Sequence, residues 1–350
     1  MRHPVISEDL VSIAAANIDW QRFSGATVLV AGAGGFLPAY IVETLLYLNE
    51  AGMADNIRIV CLVRDLEKAR ERFAAYLNRS DLVLVSQDVT TALQICEPVY
   101  YIIHAASQAS PKYYGSDPVG TLKSNVIGTY NLLELARANR IEGFLFFSSG
   151  EVYGEVSSSQ IPTREDEYGY LDPTRVRSCY AESKRMGENM AVSWHHQYGI
   201  PAKIVRPFHT YGPGMRLDDG RVFADFVADI INNRDIVMNS DGSARRSFCY
   251  LADATAGFFK VLLDGENATA YNVGNTEGEI SILDLAELLV GIFPEKKLRV
   301  VKKAGVAQTG YLQSTLARNC PDISRIGKLG WQPHTGIREG FLRTIRSCCE

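Results

Sequence analysis

The chain has 350 residues, 46% of them hydrophobic, with a formal charge of −4, enough apolar material for one large core or two unequal ones. The acidic balance and the lack of a dense Lys/Arg run exclude a protein that grips nucleic-acid phosphates, while leaving room for a small phosphorylated ligand met by a few local arginines. Seven scattered cysteines (Cys61, Cys96, Cys179, Cys249, Cys320, Cys348 and Cys349), with no C-x-x-C pair, predict reduced thiols in a cytoplasmic protein.

Glu8 and Asp9 precede any apolar run, which argues against a secretory signal. The first ~25 residues (1–25) read as an amphipathic helical extension for packing or a dimer surface. "ATVLVAGAGGF" is then a β-branched run ending in glycines, and "LPAYIVETLLYLNEAG" follows with helical periodicity. This is also the most apolar region, but Gly32, Gly34, Gly35, Pro38 and Glu43 interrupt it, so no membrane span is expected. "NIRIVCLVRD" reads as a second strand, "LEKARERFAAYL" as a charged helix, "DLVLVSQDV" as a third strand and "PVYYIIHAAS" as a fourth. "GTLKSNVIGTYNLLELARAN" is a long helix, "GFLFFSSG" a fifth strand, "CYAESKRMGENMAVSWHHQYG" another long helix, and "PAKIVRPFHTYG" a sixth strand. Strands alternating with helices at this spacing predict an α/β fold, a Rossmann-type doubly wound parallel sheet over residues 26–207. From residue 208 to 350 the pattern loosens into loops between short elements. It reads as a smaller substrate-binding lobe over the strand ends, with chain crossings back to the first domain.

Two ends of such a sheet carry chemistry. Gly32, Gly34 and Gly35 lie between the first strand and its helix, where bare backbone lets a pyrophosphate approach the helix N-terminus. Pro38 stands where a third glycine is expected, and proline is tolerated in a first helical turn. The second strand ends in Arg64-Asp65 rather than directly in an acid. Asp65 suits the ribose of NAD, whereas Arg64 suits a 2′-phosphate and leaves NADP open. Asp88 and Val89, after the third strand, are placed near an adenine, with a plain surface-loop aspartate as the alternative for Asp88. Tyr180 and Lys184 stand four apart on one helix face. An ammonium beside a phenol stabilises the phenolate and makes a proton-transfer group. His195 and His196 lack partners at metal-ligand spacing, so no metal is expected.

The glycine turn, the strand ending in Ser148-Ser149 and the Tyr180–Lys184 pair together resemble the extended short-chain dehydrogenase/reductase (NAD-dependent epimerase/dehydratase) family, over about Thr27 to Trp331. "AASQASPKYYGSDPVGTLKSNVIGTYNLLELA", "SCYAESKRMGE", "RPFHTYGPGMRLDDGRVFADF", "DGSARRSFCYLAD" and "NCPDISRIGKLGW" look most like its UDP-glucuronate decarboxylase (UDP-xylose synthase) branch. The resemblance implies Ser149, Tyr180 and Lys184 as catalytic residues, with Glu151 beside them. It implies cofactor contacts from Gly32, Gly35, Phe36, Leu37, Arg64, Asp88, Val89, His104, Ala105, Ala106, Asn125 and Pro207, in addition to Tyr180 and Lys184. Substrate contacts are implied for Ser110, His209, Arg221 and Arg246, again with Ser149 and Glu151. Guanidinium groups suit a diphosphate or a carboxylate. His209 departs from the asparagine usual in decarboxylases, and Gly214 from their arginine.

In the family's 4,6-dehydratases an Asp-Glu pair follows the serine or threonine; here Gly150 takes the aspartate's place and Glu151 remains. That pattern implies sugar oxidation at C4 without dehydration. The alternative for Glu151 is a strand-end acid facing solvent or an arginine. The implied reaction is decarboxylation of UDP-glucuronate to a UDP-pentose with bound NAD+, for polysaccharide biosynthesis. The alternatives are a 4-epimerase, a 4-keto reductase or a dehydratase-like enzyme on another UDP- or dTDP-linked sugar. A non-catalytic dinucleotide sensor does not need the Ser149, Tyr180 and Lys184 set. Family members commonly dimerise through long helices, here those near 120–140 and 180–198, so a homodimer is expected.

Overall fold

The computed structural model describes residues 2–302 and 317–348. Helix α1 (Pro4–Ala14) precedes β1 (Thr27–Ala31), α2 (Phe36–Glu50), β2 (Arg58–Val63), α3 (Leu66–Arg72), β3 (Leu82–Ser86) and β4 (Tyr101–His104). Then come α4 (Pro111–Ser116), α5 (Pro118–Asn139), β5 (Gly143–Phe147), α6 (Cys179–Tyr198), β6 (Ala202–Pro207) and β7 (His209–Tyr211). The remainder is α7 (Val222–Ile231), β8 (Ile236–Met238), β9 (Arg245–Tyr250), α8 (Leu251–Asp264), β10 (Ala270–Val273), β11 (Glu279–Ser281), α9 (Ile282–Ile292), β12 (Val300–Lys302), β13 (Arg318–Asn319), α10 (Ser324–Gly327) and α11 (Ile337–Arg346).

The main sheet runs β10-β6-β5-β4-β1-β2-β3, and every pairing in it is parallel. Strands β1 and β5 are buried along their whole length, as a sheet covered by helices on both faces requires. The strand order reverses between β1 and β4, and the carboxyl ends there open onto one cleft.

Three local readings change. The helix expected over 66–77 stops at Arg72, because Phe73 leaves helical backbone geometry (φ −105°, ψ 22°). Phe73 and Tyr76 then turn into the core. The sixth strand breaks at Phe208, whose amide bonds the Val273 carbonyl at 3.0 Å; β6 stays in the main sheet while β7 pairs with β9 in a second one. The late chain also returns a seventh strand, β10, parallel to β6.

The N-terminal extension is locked to the rest of the molecule. Helix α1 packs on α2 and α8. Buried Asp9 accepts from Tyr40 Oη at 2.7 Å, Tyr250 Oη at 2.8 Å and Arg343 Nη2 at 2.7 Å. Among the described residues no helix is long and apolar enough to cross a membrane. Cys61, Cys96, Cys179, Cys249 and Cys320 are free thiols, while Cys349 lies outside the described residues.

Candidate active site

At the nucleotide end, Gly32 has φ +79°, and a Cβ there would meet the Ala106 Cα at 2.6 Å. Only glycine allows β1's turn to press against the turn after β4. Gly35 precedes α2 without any side-chain cap, so the first amides of the helix remain available to an anion. Phe36, Leu37 and Pro38 line the cleft beside it. These features fit a dinucleotide pyrophosphate.

Beyond β2, Arg64 is exposed. Asp65 is the N-cap of α3; one oxygen accepts from the Lys68 amide at 3.1 Å and the other pairs with Lys68 Nζ at 3.0 Å. Its carboxylate is thus already engaged within the cap rather than held ready for a ribose. Asp88 Oδ1 accepts from the Thr90 amide at 2.8 Å and shapes the turn after β3. Val89 is buried so close to Gly128 of α5 that a Cβ on that glycine would lie 2.8 Å away.

His104 is buried, with Nε2 2.9 Å from Thr129 Oγ1. Burial first, and then the Lys184 charge, push its pKa down to about 3, so the ring is neutral. Asn125 Nδ2 donates to Ser183 Oγ at 2.9 Å. His104 Nδ1 and Asn125 Oδ1 are enclosed without a hydrogen-bond partner. Ala105 and Pro207 line the cleft.

At the chemistry end, β5 delivers Phe147, and the next two serines diverge. Ser148 borders the cleft but spends its hydroxyl on Glu188. Ser149 lines the cleft with Gly150 and Glu151, its Oγ accepting from the Glu151 amide at 3.2 Å. Tyr180 and Lys184 project from α6 into the same cleft. Lys184 Nζ donates to the Phe147 carbonyl at 2.6 Å and lies 5.8 Å from the centroid of the Tyr180 ring.

Their electrostatics differ from the expected phenolate–ammonium pair. Burial and the Glu151 charge push Tyr180 up to about 12, against the Ser149 hydrogen bond, Arg221 and Arg177. Burial pushes Lys184 down to about 7, against Glu188. Both shifts have the same cause: a dry pocket disfavours whichever form is charged. The protein alone holds Tyr180 as a neutral phenol, poised to give a proton before it can take one.

Among the expected substrate contacts, His209 and Arg221 line the cleft whereas Ser110 and Arg246 are not part of its wall. Ser110 donates to the Asp219 carbonyl at 2.5 Å. Arg221 is held by the Asp219 carboxylate, Nε at 2.7 Å and Nη2 at 2.6 Å. Arg246 Nη1 donates to the Arg245 carbonyl at 2.8 Å at the exposed start of β9. His209 sits between Phe223 and Phe248. Its Nδ1 is enclosed without a partner, and burial, aided by Arg246 and Arg221, lowers its pKa to about 3. His195 Nδ1 lies 2.8 Å from the Ile200 carbonyl at the end of α6.

Four contributors escaped the sequence reading. Asn319, on two-residue β13, lines the cleft with an enclosed, unpartnered Oδ1. Ser107 lines it too, its Oγ likewise unpartnered. Tyr114 stacks on Tyr180 with centroids 4.9 Å apart. Arg177 donates to Glu151 from Nη1 at 2.8 Å and Nη2 at 3.3 Å, so Glu151 does face an arginine. Only Arg177, one turn before Tyr180, had a local signal. Asn319 lay within "NCPDISRIGKLGW", but nothing in that segment sets it apart.

Comparison with known proteins agrees with this architecture. The model of the NAD dependent epimerase/dehydratase family matches residues 28–274. UDP-glucuronic acid decarboxylase 6 of Arabidopsis thaliana is 34% identical over 322 residues, covering 91% of this chain and 87% of that protein. Among solved structures, an epimerase from Methanothermobacter thermautotrophicus superposes with a TM-score of 0.80 at 21% identity, covering 99% of this chain and 96% of that one. A UDP-glucuronic acid 4-epimerase from Bacillus cereus, in complex with UDP-glucuronic acid and NAD, does so with 0.74 at 21% identity, covering 92% and 98%. The chain therefore belongs to the NAD dependent epimerase/dehydratase family, as an enzyme whose cofactor is NAD.

Proposed function

We propose that this enzyme oxidises the C4 hydroxyl of UDP-glucuronate and releases the C6 carboxyl as carbon dioxide, leaving a UDP-pentose. The supporting observation is the turn Ser149-Gly150-Glu151 at the Tyr180 phenol. A Cβ on Gly150 would lie 3.2 Å from the Phe208 ring, a close contact that an aspartate there could make only if the ring gave way by a few tenths of an ångström. A leaving-group acid is thus missing where dehydration needs one, while the glutamate remains.

In this reading Tyr180 first gives up its own phenolic proton to solvent and then, as the phenolate with Ser149 at its oxygen and Lys184 one turn behind, takes the C4 hydroxyl proton. Bound NAD+ would supply a hydride acceptor for C4 and, once reduced, the donor for the return step. The 4-ketone is β to the C6 carboxylate and receives the electrons when the C5–C6 bond breaks. Glu151 orients the carboxylate or a water and helps return a proton to C5. Gly32, Gly35, Phe36 and Leu37 hold the pyrophosphate, with Asp88, Val89, His104, Ala105, Ala106, Asn125 and Pro207 along the rest of the cofactor. Arg64 would meet the adenosine end of the cofactor, and His209, Arg221 and Arg246 the nucleotide sugar. Ser110 acts through Asp219.

Residues 26–207 form the cofactor domain and 208–350 mainly the substrate lobe, with 1–25 as an extension. Exposed Val119, Leu122, Ile127 and Tyr130 on α5, with Met186 and Val192 on α6, support a homodimer. We place it in the cytoplasm, in the supply of pentose for polysaccharide. A second reading, 4-epimerisation with the carboxylate kept, is favoured by neutral His209 and Asn319, which suit sugar hydroxyls. A panel of nucleotide sugars with product masses separates them: decarboxylation predicts loss of carbon dioxide from UDP-glucuronate alone, whereas epimerisation leaves the mass unchanged.

A further inference from the structure

We propose that Arg177 is a positioning residue for proton transfer at Tyr180, acting as the fixed counter-ion that cancels the Glu151 carboxylate beside the phenol. The inference rests on Tyr180 being the proton-transfer residue of the proposed reaction.

The geometry has three parts. Arg177 forks the Glu151 carboxylate with both terminal nitrogens, an arrangement that fixes direction as well as charge. Its guanidinium lies over the Tyr114 ring, 4.9 Å from the centroid, within cation–π range. Tyr114 in turn stacks on Tyr180 at 4.9 Å and 16°. The arginine, the two rings and the glutamate therefore form one closed group around the phenol. Arg177 is only 24% exposed and Glu151 32%, so solvent screens this pair less than a surface pair.

The charged and titratable groups around Tyr180 come from several neighbouring elements: Glu151 after β5, Arg177 just before α6, Cys179 at its start, Lys184 further along it, Tyr114 on α4, and Arg221 before α7. Glu151 opposes phenolate formation, whereas Arg177 and Arg221 favour it. Arg221 is already occupied by Asp219. Arg177 is the cation bonded to Glu151 itself. Removing it leaves a carboxylate uncompensated next to the group that must accept a proton.

The test is a titration of Tyr180 in the NAD-saturated enzyme. Tyrosinate absorbance is read immediately after stopped-flow pH jumps, before alkaline unfolding, with Tyr180→Phe as the blank. Arg177→Met should raise the midpoint by about one pH unit, the tenfold effect of one uncancelled charge nearby. Glu151→Gln should lower it, and the double variant should return close to the parent. Arg177→Lys should keep most of the effect. A structural role alone predicts no recovery in the double variant. An unchanged midpoint in Arg177→Met, or a shift that persists when Glu151 is also neutralised, overturns the proposal. If Arg177→Met does not fold, Glu151→Gln decides: a midpoint that fails to fall overturns it. Turnover of UDP-glucuronate by the unaltered enzyme separately tests the reading of the reaction.

Discussion

Arg206 on β6 and Glu188 on α6 form a buried fork behind the active site, Nε to Oε1 at 2.8 Å and Nη2 to Oε2 at 2.7 Å. The remaining guanidinium hydrogens go to the Tyr153 and Tyr168 hydroxyls and the Glu165 carbonyl. The glutamate also takes the Ser148 hydroxyl, and its charge favours the protonated form of Lys184. The ion pair thus ties β6 to the helix carrying Tyr180 and Lys184, and the Ser148 hydroxyl joins the segment after β5 to the same glutamate. Arg206→Met should destabilise the fold by about 3–5 kcal/mol, because it strands a buried carboxylate. Replacing both partners with apolar residues should recover part of that loss in urea unfolding.

Tyr180→Phe removes the only atom of that side chain that can move a proton while keeping its stack on Tyr114. Turnover should fall by about a thousandfold or more, and NADH affinity, followed by fluorescence, should stay within about twofold of the parent.

Glu151→Gln keeps the shape of the Ser149–Glu151 turn and removes its charge. We expect carbon dioxide release to fall further than the initial C4 oxidation, by about tenfold or more. Single-turnover measurements of NADH absorbance and released carbon dioxide separate the steps; equal, mild losses would count against the role given to Glu151.

Gly32→Ala places a methyl group against the Ala106 backbone at a positive φ. The turn must open, and NAD affinity should drop by at least about tenfold, with a smaller loss of thermal stability.

His104 and His209 are held neutral, with values near 3 against an ordinary 6.5. Between those limits the unfolded chain binds more protons than the folded one, so their contribution to stability falls as pH falls through that window. Each should remove roughly 2 kcal/mol between about pH 6.5 and pH 5. Urea midpoints across this range should therefore drop less steeply for His209→Asn than for the parent.

The alternation of strand and helix, the glycine turn and the Tyr180–Lys184 spacing are local patterns, and each could be read from neighbouring residues. What stayed hidden depends on contacts between distant segments. Asn319 reaches the cleft only because β13 pairs with β9, and the break at Phe208 exists because Val273 returns to take its amide. The neutral state of Tyr180 differs from the expected phenolate for the same reason: pairing with Lys184 is visible in sequence, whereas the burial that outweighs it arises from packing. Asp65 looked like a ribose ligand because its position after β2 is right, yet the start of α3 claims it first.

The most direct test follows the C6 carbon itself. With UDP-glucuronate labelled at that position, this account predicts that the label leaves as carbon dioxide in step with the appearance of UDP-pentose. Label retained in a nucleotide sugar that is still converted would contradict it.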